Sequence, residues 1–313
     1  MSSLQKLILA TIAYYDLFDF PLTVEEIKKY LVAPNYLKIS DVINLDTIPA
    51  ELYSMTNMSE VTLYGGFYSL PHREHLVPTR IRKSRIAKKK MKRARRVAWL
   101  MSGMPYVQAV FASGSLALQN TDYDSDLDLF IITKAGRIWT ARFVINSVLD
   151  VLRLKRKPQD RTAPDKICPN HLIADNALIM INRNIFTARV YSHLIPLYIR
   201  RNIILKNFQQ ENQWIYSYIN SWDFSKQYLI KNTGIVKSAK YFQELIFNTK
   251  IGNLVEELCR RYQKHRIEHN PLTRHPQGRI EYNDYRLEFH PHSIENTIIG
   301  RYNKHLESLI AGF

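Results

Sequence analysis

Two aspartates separated by one residue, Asp126 and Asp128, carry the strongest chemical signal in this chain of 313 residues. They open the run Asp126-Leu-Asp-Leu-Phe-Ile-Ile-Thr133, whose alternation predicts a strand. Side chains alternate faces along a strand, so both carboxylates project one way while Leu127 and Leu129 project into a core. Two neighbouring carboxylates repel unless a cation stands between them. Mg²⁺ suits that position because it takes hard oxygen ligands and keeps places for water and phosphate oxygens; Mn²⁺ is an alternative. Upstream, Gly114-Ser115 follows the apolar run Val107–Ala112. A glycine turn there presents backbone N–H groups to a phosphate with no side chain in the way. A metal-binding pair beside a phosphate cradle is equipment for phosphoryl or nucleotidyl transfer.

The elements that position these residues are legible around them. Val107–Ala112 reads as a strand ending at the glycine turn, and a second strand carries Asp126 and Asp128. Before them, residues 76–103 read as one long helix that Pro105 closes. Eleven of the seventeen residues from Arg80 to Arg96 are Lys or Arg. Ala87, Met91, Ala94, Ala98 and Met101 recur at helical spacing and give that helix a buried stripe. Residues 137–154 read as a helix, and Ile167–Ala174 as a strand that Pro169 weakens and pushes toward an edge, paired with 177–181 across Asp175-Asn176. The segments 186–199, 205–221 and 235–267 read as helices, 270–292 as irregular, and 293–311 as a last helix.

The pattern Gly114-Ser115 … Asp126-Leu127-Asp128 resembles the signature of the nucleotidyltransferase superfamily related to DNA polymerase β, in its compact, aminoglycoside-type branch. The motif spans about 27 residues. On a looser level, Tyr14-Tyr-Asp-Leu-Phe-Asp-Phe-Pro-Leu-Thr23, Gly66-Phe-Tyr-Ser-Leu70 and Phe289-His-Pro-His292 are similar to bacterial proteins that join an N-terminal winged helix to such a domain. The resemblance implies that Asp126 and Asp128 hold Mg²⁺ bridging an NTP triphosphate, and that Gly114 and Ser115 cradle phosphates. Ser125 would bind a phosphate or orient the acidic pair. Apart from the resemblance, Lys134 and Arg142 follow the strand of the acidic pair and are read as phosphate contacts. The acceptor's nucleophile would attack the α-phosphorus and release pyrophosphate. The superfamily usually adds a third carboxylate from a later strand. Here the centre of Ile167–Ala174 offers Asn170 at the third position, flanked by Asp165 and Asp175. Asn ligates weakly and cannot act as a base. The alternative to an enzyme is therefore a nucleotide-sensing or nucleic-acid-binding regulator with a degenerate site.

Composition sets the surroundings. The net charge is +16, which favours a polyanionic partner such as RNA, met through helix 80–96. The first 60 residues run the other way, with four Lys/Arg against eight Asp/Glu. Their apolar stripe at 3–18, the capping box Thr23-Val-Glu-Glu26 and the hairpin signal around Gly65-Gly66 read as a winged helix, better suited to packing against another domain or holding a partner protein than to DNA. Two cysteines give no disulfide framework and no cysteine zinc site. His265 and His269 lie one helical turn apart without a His-Glu-x-x-His motif, so solvated or locally hydrogen-bonded histidines are expected. No stretch reads as a signal peptide or membrane span, which points to a cytoplasmic protein. The expected fold is α+β: a winged-helix-like domain at 1–75, a mixed-sheet nucleotidyltransferase domain with its leading basic helix at 76–204, and a helical region at 205–313.

Overall fold

The computed structural model describes residues 1–157, 160, 162–276 and 278–311. Helix α1 (Ser3–Asp16) starts at a capping box between Ser2 and Gln5. In α2 (Val24–Tyr30), Thr23 Oγ1 accepts from the Glu26 N–H at 3.2 Å while Glu26 Oε2 accepts from the Thr23 N–H at 3.0 Å. These two bonds satisfy orphan donors of the first turn and fix where the helix begins. A third helix, α3 (Ile48–Asn57), follows. The hairpin β1 (Thr62–Tyr64) and β2 (Phe67–Ser69) turns at Gly65 and Gly66, whose φ values of +57° and +82° are those of a tight two-residue hairpin.

Helix α4 (Leu76–Ser102) runs for 27 residues. Ala87, Met91, Ala94, Ala98 and Met101 are buried, as its periodicity predicts. Two of its basic residues are buried as well. Arg80 donates to Glu26 Oε1 at 2.7 Å and lies 3.8 Å over the Phe20 ring, so part of the positive charge ties α4 to the acidic N-terminal helices. Lys90 serves the site described below.

The central elements are β3 (Val107–Ala112), the short α5 (Gly114–Ala117), β4 (Leu127–Thr133), α6 (Ile138–Val151), β5 (Ile167–Ala174), α7 (Ile185–Ser192), β6 (Ile195–Ile199) and α8 (Ile203–Glu211). Then come α9 (Gly234–Phe247), α10 (Lys250–Glu268), β7 (Arg279–Tyr282), β8 (Arg286–His290) and α11 (Glu295–Ala311). Six strands form one mixed sheet in the order β6-β3-β4-β5-β8-β7, with β4 and β5 parallel and the other pairs antiparallel. Leu127, Leu129 and Ile131 enter a core shared with α4, α6 and α10. Phe130 and Ile132 enter the opposite core, under α7 and α8. The two faces of β4 are thus buried in different cores, and Asp126 and Asp128 fall on the Phe130 side.

Several expectations need correction. Segment 186–199 is α7 followed by strand β6, because Pro196 and the apolar run around it pair with β3 instead of prolonging the helix. Segment 270–292 is not irregular, since β7 and β8 lie in it and extend the sheet. Residues 177–181 form no strand, and the partner of β5 on that side is β8. Hence β5 is interior, not an edge. Pro169 is tolerated because β8 pairs only with His171–Ile173, and the register with β4 shifts between Asp128 and Phe130. The terminal α11 returns to the N-terminal helices, where Tyr302 donates to the Ala10 carbonyl at 3.1 Å. Elsewhere, α9 and α10 expose Tyr241, Phe242, Leu245, Leu254 and Leu258. Among the described residues, no helix is long and apolar enough to cross a membrane.

Candidate active site

The acidic pair is assembled by three backbone devices. Strand β4 carries Asp128 in its second position, with Asp126 just before its start. The Ser113 N–H donates to the Asp128 carbonyl at 3.1 Å, which draws the end of β3 against the start of β4. The chain then reverses at Gly114 with φ +57°. A Cβ on Gly114 would stand 2.8 Å from Asp128 Oδ2. Glycine is needed here on both counts, for its left-handed backbone and for the carboxylate packed against it.

Lys90 supports the loop leading into the pair. Its buried ammonium donates to the carbonyls of Tyr123 at 2.8 Å and Ser125 at 2.6 Å, and stands 3.5 Å from Asp165. The long basic helix therefore reaches the site through one buried lysine. Ser125 Oγ accepts from the Asp122 N–H at 3.2 Å, so its hydroxyl braces this loop.

Asp126, Asp128 and Cys168 bring a ligand atom each within 4.8 Å of one another. Cys168 is opposite Asp128 in the β4–β5 register. Burial, then the charges of Asp128 and Asp126, hold its thiol well above the usual range and keep it protonated. Arg156 donates to Asp126 Oδ2 at 2.7 Å. Asn170 donates from Nδ2 to Asp128 Oδ1 at 3.0 Å. Burial and the adjacent Asp126 push the Asp128 carboxyl up to about 6, against the opposing effects of His290, Arg156 and Asn170. Two hard oxygen donors whose charges oppose each other suit Mg²⁺, whereas the protonated thiol does not.

Among the residues singled out from sequence, Gly114, Asp126, Asp128 and Asn170 come together, and Ser115 sits beside Gly114 in α5. Lys134 does not join them. It follows the far end of β4, roughly 20 Å from Asp128 at the rise of a strand, and its ammonium donates to Asn248 Oδ1 at 3.2 Å. Arg142 donates to Gln263 Oε1 at 2.7 Å on α10, and burial lowers its guanidinium to about 10. Asp165 faces Lys90 and Arg93. Asp175 accepts from the Ala135 N–H at the opposite end of the sheet.

Sequence reasoning missed Arg156, Lys90 and a second polar cluster. Arg156 sits in a polar loop, and its backbone N–H bonds the Ile167 carbonyl beside β5. The cluster is His171, Glu288 and His290, on the two strands that follow β4 across the sheet. His171 pairs with Phe130 on one side and Glu288 on the other, so it shares the face of the acidic pair. Burial lowers the His171 imidazole to about 3 and leaves it neutral. The motif Phe289-His-Pro-His292 contained the signal, but nothing local announced that β8 would lie beside β5. His265 and His269 meet as expected, with His269 Nδ1 2.8 Å from the His265 carbonyl.

Comparison of the chain with protein-family models, curated proteins and solved structures finds no match.

Proposed function

We propose that this chain is a Mg²⁺-dependent nucleotidyltransferase that moves a nucleoside monophosphate from an NTP to an acceptor hydroxyl and releases pyrophosphate. An RNA or tRNA end, or a protein hydroxyl, is the favoured acceptor because of the net charge of +16. The observation that carries the proposal is the packing of Gly114 against Asp128 Oδ2 at the start of a strand whose neighbour in sequence is Asp126. Asp126 and Asp128 would hold the cation, which when bound offsets charge on the triphosphate. The backbone at Gly114 and Ser115 would hold phosphate oxygens, with no side chain at Gly114 to exclude them. Arg156 would share Asp126 with the cation and add positive charge at the mouth of the site. Lys90 would keep the loop before Asp126 from drifting, since catalysis of this kind rests on positioning. Residues 1–75 would serve as a winged helix that contacts a partner protein.

Calorimetry with a non-hydrolysable ATP or GTP analogue tests the proposal. Uptake should require Mg²⁺ and vanish in Asp126→Asn and Asp128→Asn. With radiolabelled NTP and total RNA or lysate, label transfer should disappear in the same variants. Because burial and Asp126 disfavour the Asp128 anion, Asp128→Asn should melt no lower than the wild type in chelator, so its loss of binding cannot be unfolding. Absence of cation-dependent nucleotide uptake in the wild-type chain would reject the proposal.

A second reading has its own support. Asn170, not a carboxylate, contacts Asp128, and Asn cannot take a proton from an acceptor. A nucleotide-sensing regulator would bind the analogue with Mg²⁺ and transfer no label to any acceptor.

A further inference from the structure

A strand that presents two ligand side chains at positions i and i+2 places both on one face, and a third ligand on the adjacent strand completes a tripod. Glu288 and His290 stand in that relation on β8, and His171 is directly opposite Glu288 on β5. His290 Nε2 is 3.3 Å from Glu288 Oε1, His171 Nδ1 is 3.8 Å from the same oxygen, and one ligand atom from each residue lies within 4.8 Å of the others. His171 is 5% exposed, and its Nε2 has no hydrogen-bond partner. Buried polar atoms are nearly always satisfied. Nδ1 is the ring nitrogen that faces Glu288 Oε1, and it is the atom an ion at this cluster would meet.

We infer that His171, Glu288 and His290 form a binding site for a transition-metal ion, Zn²⁺ by the chemistry of its donors, separate from the Asp126–Asp128 pair. Two imidazoles are borderline donors that favour Zn²⁺ over Mg²⁺, and a single carboxylate is compatible with either ion. Three protein ligands leave a fourth position for water or a substrate oxygen. Arg279 bonds Glu295 and the same Glu288 Oε1, which holds the ligating carboxylate in place; its positive charge and that of Arg286 oppose a cation, so the donor geometry carries the site. His290 is the accessible member, with its side chain 31% exposed, and gives the ion a route in. Across the sheet, the register places His290 level with Pro169, next to the bulge whose Asn170 touches Asp128. An ion here would add positive charge beside the acidic pair, on the flank that lacks a third carboxylate.

This inference does not rest on the nucleotidyltransferase proposal. The test is titration of the full-length chain, stripped with chelator, using Zn²⁺ alone by calorimetry and Co²⁺ alone by its visible ligand-field absorption. One equivalent should bind, with a Co²⁺ band typical of low coordination number. His290→Ala, a partly exposed position that should fold normally by circular dichroism, should weaken Zn²⁺ more than roughly 100-fold, beyond the usual effect of losing an outer partner. Glu288→Gln should do the same. Asp126→Asn should lower affinity far less than His290→Ala does, and the double variant His265→Ala/His269→Ala should leave it unchanged. No stoichiometric binding, or binding that survives His290→Ala, would overturn the inference. So would binding abolished by Asp126→Asn or by the His265/His269 double variant.

Discussion

Gly114 and Asp128 are fitted to each other: Gly114 turns at φ +57°, and the missing Cβ is where Asp128 Oδ2 comes within 2.8 Å. Adding a methyl group forces a choice between moving the turn and moving the carboxylate. Gly114→Ala should therefore cost about 1–2 kcal/mol from the left-handed backbone alone, and more from the contact. Gly136 offers a control, with φ +69° and nothing within 4 Å of its Cβ position. Gly136→Ala should show only the backbone cost. Urea denaturation of the two variants gives the difference, and equal losses would mean the Gly114–Asp128 contact is soft.

Lys90 is the basic residue of α4 that holds the site together. Lys90→Met removes the donor to two carbonyls, Tyr123 and Ser125, in a buried setting. A charged hydrogen bond lost this way typically costs roughly 1.5–3 kcal/mol. The exposed neighbour Lys89 makes no such contact, and Lys89→Met should change stability by less than about 0.5 kcal/mol. Amide hydrogen exchange should speed up across residues 120–127 in the first variant and not in the second. Unchanged exchange there would show that the loop is held by other means.

The strands around the acidic pair were readable because their signals are local: Gly114, the Leu127/Leu129 alternation and Pro105 all act within a few residues. The capping box at Thr23 and the glycine hairpin at 65–66 were readable for the same reason. What stayed hidden depends on contacts distant in sequence. Strand β8 pairs with β5 across more than a hundred residues, in a stretch whose His, Pro and Asn content argues for a loop. Strand β6 follows α7 with apolar residues that fit either period until β3 selects the strand. Arg156 reaches Asp126 from a loop with no periodicity at all. Lys134 misled for the converse reason, since closeness in sequence along an extended strand means distance in space.

His193 gives the fold a defined acid sensitivity. It packs 4.5 Å from the Tyr30 ring, and its Nε2 is 2.5 Å from the Tyr15 hydroxyl. Burial first, then Arg189 and Lys29, lower its imidazole from 6.5 to about 3. A group with a depressed folded-state value takes up a proton in the unfolded chain first. Stability is therefore complete above pH 6.5 and falls as pH drops toward 3. Between pH 6.5 and 5 the loss should be about 2 kcal/mol for one such histidine. His171 is lowered in the same way, while Asp128, raised to about 6, gains its proton in the folded chain over this range and offsets part of the loss, so His193→Gln should remove the share of one histidine from the pH dependence. Urea midpoints at the two pH values, measured in chelator, check this; an unchanged pH slope in the variant would show that His193 is already accessible to protons.

The basic helix makes a quantitative claim about polyanions. Arg80 and Lys90 are buried in structural contacts, and Lys83 and Arg93 are drawn toward Asp122 and Asp165. Arg85, Lys88, Lys89, Lys92 and Arg96 face solvent, as does Arg82, which is exposed although it lies 3.6 Å from Asp122, and these six set the upper limit on phosphates that this face can neutralise. Each phosphate contact contributes a salt slope of about −0.7 on a single strand. Fluorescence anisotropy with a single-stranded RNA should then give a slope of log affinity against log salt no steeper than roughly −4 if α4 is the whole interface. Replacing Lys88, Lys89 and Lys92 together by Gln should reduce the magnitude of that slope by about 2 without lowering the melting temperature, because none of the three is buried. A slope that stays the same would place the polyanion elsewhere on the molecule and leave α4 as a solubilising face whose one connection to the site is Lys90.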